Sequence, residues 1–503
     1  MSNPNPPALA PRAPGWFASL AILLLAGYAI FLALNTSTVA GGADSSGYLN
    51  SARLLARGNI QADLRVPTEF GPPLALSRAG FTPLGFVSHP KHPHLVPIYP
   101  VGLPLHLAAA SKLLGWHAGP LLVSLGGAIA ALGFCYLVAR ELGISPTLSA
   151  AGAAILGACP VFIFTSIQPL SDTLATAWTL AAIFAALRAR RHAGWAAACG
   201  AACAVAVLVR PTNLVLLPAL VVLLGLDWRR LSLAFLGGLP GAVWLGIYNH
   251  ALYGSALNSG YGDWRAAFLT AYAPPTLSHF AHWLALLLPA AILVLPFAAV
   301  LVRPVSFRPL IALGLWFGTI VAVYACYEVS HEVWWCLRFI LPALPALIVG
   351  ALLGLEAIAR HVPPLRRTWF VAGCALLLSV WAIGASAYWT KHLGVLETRR
   401  YEQAYAEVTQ AARSLLPKGS LVVSHYTSGA LYASTDFAVL RWDQVDAAQF
   451  THFATLAQQA GRPVCAVLFE AEEKSALTER CPGNWSRVGT VRNLSLWRLL
   501  ATP

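Results

Sequence analysis

The stretch PIYPVGLPLHLAAASKLLG, residues 97–115, decides how the chain is threaded. It is apolar enough to be taken for a membrane span. Yet it opens on prolines, carries His106 and Lys112, and is joined to the following apolar run only by Trp116-His117-Ala118-Gly119. Parity settles its reading, because each spanning helix flips the side of the next loop and Lys/Arg clusters collect on the cytoplasmic side. With Arg12 inside, the other clusters are Arg140, the run from Arg188 to His192, Arg229-Arg230, Arg303 with Arg308, and Arg360 with Arg366-Arg367. All of them fall inside when 97–115 does not cross, and the run at Arg188 falls outside when it does. An interfacial or re-entrant segment is therefore expected there.

Working outward, apolar runs recur at the ~20-residue length that crosses a bilayer. The expected spans are 16–34, 118–139, 147–166, 172–187, 193–209, 213–226, 231–249, 283–302, 309–327, 338–358 and 368–389. With 57% hydrophobic and 11% charged residues, the chain is far from the soluble average of about a quarter charged. The fold class expected is an all-α polytopic membrane protein of about 11 transmembrane helices with a small C-terminal α/β extracytoplasmic domain. The run 16–34 exceeds the ~7–15 residues of a cleavable leader and is read as a retained first helix. The net charge of +13 is dispersed over short loops, the pattern of topology signals facing anionic lipid and not of a nucleic-acid groove.

Residues 1–15 are expected to be a disordered cytoplasmic N-terminus, 16–390 a transmembrane domain with a long first outer loop at 35–117, and 391–503 an extracytoplasmic domain. In that last segment YEQAYAEVTQAARSLL has helical periodicity and alternates with the short β-type runs SLVVSH, PVCAVLFE and SLWRLL. Its Cys465 and Cys481 admit either a disulfide or two free thiols.

On this map several polar residues reach the outer rim. In GGADSSGYLNSARLLARGN, residues 41–59, an apolar stripe of Tyr48, Leu49, Ala52, Leu55 and Ala56 opposes Asn50, Arg53 and Arg57. That predicts an interfacial helix with its arginines toward headgroups and Gly58 as its stop. Asp44 at its start suits helix capping, and equally a base for an acceptor hydroxyl. Asp172, in SIQPLSDTLATAW, again fits a cap, or one half of a two-acid or divalent-metal site facing a cavity. Arg210 in LVRPTN and Arg338 in WWCLRFILPALPAL, beside Trp334, Trp335 and Phe339, fit either interfacial snorkelling or capture of a lipid phosphate. HPKHPH, residues 89–94, reads as an irregular polar loop whose Lys91 can meet phosphate, with a structural metal the lesser alternative. Glu328, His331 and Glu332 read as a solvated loop.

The order of these pieces resembles the GT-C membrane glycosyltransferases. The ordered set is an acid after span one, an interfacial helix, YPVGLPLHLAAASKLLG, an Asp opening a helix two spans later, LVRPTNLVLLPAL, YNHALYGSALNSGYG and RFILPALPAL. More narrowly it is similar to bacterial relatives of the protein O-mannosyltransferases and of the lipid A aminoarabinose transferases, a layout like glycosyltransferase family 39. The resemblance implies a bacterial inner-membrane enzyme, with its N-terminus cytoplasmic, that moves a hexosyl or pentosyl group from a polyprenyl-phosphate donor to a glycan, lipid or protein acceptor. It implies catalytic roles for Asp44 and Asp172, and donor-phosphate binding by Arg338, with Arg210 and Lys91 as weaker matches. The paired acids common in the family's first loop are reduced here to Asp44 followed by Ser45, so metal use and acceptor stay open; no metal ligand is assigned. Membrane lipids are the other expected partner, and nucleic acid is not. A transporter or lipid flippase is the alternative, although no internal repeat supports it and no Walker signature points to an ATP-driven pump.

Overall fold

The structure is a computed structural model that describes residues 15–71, 78–89, 91–302 and 307–501. The expected N-terminal segment with Arg12, Pro90 of the His-rich run and Arg303 lie outside the described residues.

The helices run α1 (Gly15–Asn35), α2 (Ala43–Ala56), α3 (Gly102–Glu141), α4 (Pro146–Ala158), α5 (Pro160–Ser166), α6 (Ser171–Arg188), α7 (Trp195–Val209), α8 (Leu217–Leu224) and α9 (Trp228–Tyr253). Next come α10 (Trp264–Ala267), α11 (Ala273–Leu287), α12 (Ala290–Leu301), α13 (Phe307–Ala325), α14 (Leu344–Ala359) and α15 (Pro364–His392). The C-terminal part adds α16 (Thr398–Leu415), α17 (Ser428–Ser434) and α18 (Ala447–Gln459). Among the described residues five helices are long and apolar enough to cross a membrane, or up to seven if each of two bent pairs is one span, against the eleven spans expected. Exposed Ile22, Leu23, Ile247, Leu376 and Leu377 give the bundle an apolar outer surface. The chain is a multi-pass membrane protein.

Proline accounts for both bends. The expected span 147–166 is α4 and α5, bent by 66° at Cys159, whereas 283–302 takes in only the end of α11 together with α12, a pair that begins ten residues earlier and is bent by 104° after Leu287. Cys159 and Leu288 take extended ψ values of 123° and 150° because each precedes a proline, whose ring disfavours helix at the residue before it. The stretch 97–115 also resolves. The chain breaks at Gly115, with φ +82° and ψ 167°, a conformation open to glycine for want of a Cβ. A Cβ on Gly119 would lie 2.6 Å from Ser111 Cα, whereas eight residues of straight helix span about 12 Å. The segment before Gly115 is thus its own helix, folded back on its successor.

Among the described residues two sheets complete the fold. Strands β1 (Ala62–Asp63), β2 (Phe86–Ser88) and β3 (His94–Pro97) pair antiparallel in the order β1-β3-β2. The larger sheet contains β4 (Leu421–Val423), β5 (Ala438–Leu440), β6 (Val464–Phe469), β7 (Asn484–Val491) and β8 (Leu494–Ala501), in the order β5-β4-β6-β8-β7. Its first three strands are parallel, and β8 and β7 join antiparallel. Cys465 is buried in the apolar layer on one face of this sheet and Cys481 in the layer on the other, and both are free thiols, so the optional disulfide is not formed. The layer around Cys481 is not built from the C-terminal residues alone. Phe70 and Phe81, from the first loop, pack on Phe453 of α18 with ring centroids 5.1 and 5.5 Å away.

Phe453→Ala should lower stability by about 3–5 kcal/mol, because it opens a cavity between first loop and sheet. Thermal unfolding of the detergent-solubilised protein measures this; an unchanged midpoint would mean the two parts do not share a core.

Candidate active site

Asp44, Asp172, Arg210 and Arg338 come from four distant places in the chain, each at or beside a helix end. Asp44 is the second residue of α2, and Asp172 the second of α6. Arg210 follows the last residue of α7, where Pro211 prevents helix from continuing. Arg338 lies in a 3₁₀ stretch, Trp334–Ala343, that leads into α14.

Neither acid caps its helix. Gly42 and Leu170 occupy the N-cap positions and neither cap makes a side-chain hydrogen bond, so the capping expectation is corrected for both acids. The carboxylates instead point inward from the positive ends of their helices, which favour the ionised form. Arg338 Nη2 donates to Asp44 Oδ2 at 2.6 Å, and its Nη1 lies 3.8 Å from Asp172 Oδ2. Arg210 Nη1 donates to the other oxygen of Asp172. Arg210 Nε donates to the Tyr324 hydroxyl at 2.9 Å, and Thr212 Oγ1 lies 2.7 Å from the same hydroxyl. Phe339 stacks on Tyr324 and lies under both guanidinium groups, 5.3 Å from each. Asp172 is almost wholly buried, its side chain 2% exposed, while that of Asp44 is 28% exposed. The network is therefore closed at Asp172 and open at Asp44.

Arg338 keeps one donor in reserve, since its Nε is buried and makes no hydrogen bond. Burial pushes the Asp44 carboxyl up, but Arg338, the Tyr99 hydroxyl and Arg210 together pull harder and hold it below the usual aspartate value. Tyr48 Oη donates to Ser171 Oγ at 2.9 Å and so ties α2 to α6 beside both acids.

The expected interfacial helix is α2, but it is more enclosed than its stripe implies. Residues 45–52 are all buried, and Asn50, on the polar face, donates to the Gly429 carbonyl at 3.1 Å. The polar face is covered by α17. A further acid reaches this helix from α16: Glu402 accepts from Ser45 Oγ at 2.6 Å and from Gly42 N at 3.2 Å. Glu402, Tyr48, Tyr99 and Tyr324 were not identifiable as site residues in the sequence. Glu402 is isolated in an amphipathic helix, and the tyrosines look like ordinary apolar-face residues.

Lys91 is not brought to this cluster. It is exposed in the β2–β3 turn, where its N–H and that of His92 both donate to His89 Nδ1 at 3.1 Å. His331 lies on α11 instead of standing free, with its Nδ1 3.3 Å from Thr276 Oγ1. Among the described residues no group of three or more His, Cys, Asp or Glu side chains is placed to hold a metal ion. The two acids do not fit a divalent ion either, because a guanidinium occupies the space between them and each is already paired.

The fold is the GT-C fold of the solved glycosyltransferases that it superposes on. The structure superposes on that of ArnT from Cupriavidus metallidurans bound to undecaprenyl phosphate, with a TM-score of 0.57 and 15% identity over 97% of this chain and 99% of that one. It also matches the Archaeoglobus fulgidus oligosaccharyltransferase tethered with an acceptor peptide, with a TM-score of 0.55 and 13% identity over 91% of this chain and 70% of that one. The archaeal oligosaccharyltransferase AglB in complex with an inhibitory peptide and a dolichol-phosphate matches with a TM-score of 0.51 and 13% identity, over the same shares. No family model and no curated protein matches the sequence.

Asp172→Asn should be costly in stability, by about 3–5 kcal/mol, because it leaves Arg210 buried and unpaired, and Asp172→Asn with Arg210→Gln should recover much of the loss. Unfolding of the single and double variants decides this; additive losses would mean the pair is not coupled. For Glu402, burial pushes the carboxyl up more than the Ser45 hydroxyl and Gly42 amide hold it down. A raised folded value contributes stability that is full below the unfolded pKa of about 4.3 and is lost as pH rises through the folded value. Thermal stability should therefore fall over that interval, and Glu402→Gln, neutral throughout, should flatten the slope. An identical pH profile in the variant would remove Glu402 as its source.

Proposed function

We propose that the chain is an integral-membrane glycosyltransferase that moves a sugar from a polyprenyl-phosphate donor to a hydroxyl of a lipid, glycan or protein acceptor. The observation that carries the proposal is the convergence of Asp44, Asp172, Arg210 and Arg338 on one partly open network. Support comes from the GT-C fold and from relatives of that fold solved with polyprenyl phosphates. The reading includes about 11 spans, a cytoplasmic N-terminus, and the network on the outer face of a bacterial cytoplasmic membrane beneath an extracytoplasmic C-terminal domain of residues 391–503. The fold favours it over a transporter or flippase.

In this mechanism the donor phosphate enters at Asp44, the open end, and takes Arg338 through Nη2 and the unengaged Nε, the forked geometry guanidinium offers to phosphate. Arg210, fixed on Asp172 and Tyr324, holds Asp172 in place behind it. Losing Arg338 removes the main pull on Asp44, so its carboxylate becomes a better base as the donor arrives. The acceptor hydroxyl gives its proton to Asp44, its oxygen bonds to the anomeric carbon, and the bond from that carbon to the phosphate oxygen breaks. The electron pair leaves with the polyprenyl phosphate.

Asp44→Asn should lower kcat by about 100-fold or more while the protein still inserts and folds. Full turnover with a polyprenyl-phosphate sugar would exclude Asp44 as the base. Arg338→Gln should act mainly on donor binding, raising the donor KM by about tenfold or more. An unchanged donor KM would assign the phosphate to another residue.

A further inference from the structure

At the opposite end of α2 from Asp44 is a second charged feature that the reaction does not use. A cavity of about 630 Å³ is lined by Arg53, Arg57, Lys112, Trp116, Arg413 and Ser434. Its cations come from α2, α3 and α16, and α17 closes it. Arg53 is half-buried and Arg57, Lys112 and Arg413 are exposed, and among the described residues none of the four has a carboxylate within ion-pair distance, whereas Asp or Glu pairs with Arg188, Arg210, Arg338 and Arg462. Arg53 is held over the Trp116 ring, 5.6 Å from its centroid, which fixes one guanidinium at the cavity wall. Four uncompensated cations facing one volume repel each other, and an anion of more than one oxygen relieves that repulsion.

We infer that this cavity binds a phosphate group, and that the phosphate is carried by a membrane lipid. The source is indicated by the neighbours of Lys112. Leu113 and Leu114 are 84% and 52% exposed and lie on the same helix turn, and Trp116 comes next at the rim. Exposed leucines suit acyl chains, and tryptophan suits the membrane–water boundary just above them. A headgroup in the cavity thus places its tail where apolar side chains are already bare. The site is separate from the network at Asp44, since Arg53 lies about 13 Å further along the helix axis. The inference does not depend on the glycosyltransferase reading.

Native mass spectrometry of the full-length protein in detergent, with phosphatidylglycerol and phosphatidylcholine added in turn, tests it. Phosphatidylglycerol adducts should be retained about tenfold more strongly than phosphatidylcholine adducts. The preference should vanish in the triple variant Arg57→Gln, Lys112→Gln, Arg413→Gln and persist in Arg57→Lys, Arg413→Lys. These side chains are exposed, and an unfolding midpoint matching wild type confirms that the variants fold. Inorganic pyrophosphate alone should be retained less strongly than phosphatidylglycerol, because it gains nothing from the bare leucines. If pyrophosphate binds instead and lipid shows no preference, the phosphate site stands and its lipid source is overturned. No anion preference in either arm, or one untouched by the triple variant, overturns the site itself.

Discussion

Two carboxylates and two guanidinium groups held within one network fix the geometry on which the rest of this structure turns. Removed from water, any one of them alone would cost several kcal/mol, and the four together carry no net charge. Neutrality is reached only when α2, α6, the end of α7 and the 3₁₀ stretch before α14 stand in one arrangement. Electrostatics therefore selects a single packing among many that helix burial alone would accept. Apolar contacts between helices in lipid are poorly discriminating, because hydrocarbon solvates leucine as well as another leucine does. The polar network supplies the discrimination. Tyr324 and Phe339 extend it with a stacked pair beneath both arginines.

The network holds α2 from the bundle side, and the C-terminal residues hold it from the other. Glu402 accepts from its first turn, Gly429 accepts from Asn50 in its middle, and Phe70 and Phe81 anchor the loop behind it in the core of the larger sheet. A short helix at a membrane surface would ordinarily fray and tilt. With both faces covered, α2 presents Asp44 in a fixed direction, as a proton acceptor requires. The sheet and α16 thus act on the candidate site through position, without placing a side chain among the reacting groups.

Much of this was legible in the sequence, for reasons particular to each residue. Helix positions come from apolar run length, and the expected runs fall on helical stretches, but among the described residues only five helices, or seven with the two proline-bent pairs, have the length and apolarity of a span, against the eleven expected. Separating 97–115 from the apolar run at 118–139 depended on charge parity, and Gly115 is where the chain turns. Asp44, Asp172, Arg210 and Arg338 stood out because charges near hydrocarbon need partners. Their pairing was hidden, since residues 294 positions apart, as Asp44 and Arg338 are, leave no local trace of contact. The capping expectation failed for a related reason. Asp near a helix start can serve its own backbone or a distant arginine, and local spacing does not distinguish the two. Lys91 failed because a proline-rich turn gives no direction to its side chain.

The resting network also bears on the order of events in the proposed reaction. A carboxylate held below its usual pKa is a poor base, and Arg338 is the chief favourable cause of that depression at Asp44. Without donor, then, the acid is at its weakest as a base and the guanidinium is occupied. A phosphate that takes Arg338 reverses both conditions at once, so base strength and leaving-group contact arise together. Asp172 cannot take part in this exchange, because it is buried and its other oxygen is committed to Arg210. In the proposed reaction the open acid, Asp44, takes the moving role and the closed one, Asp172, the fixed role.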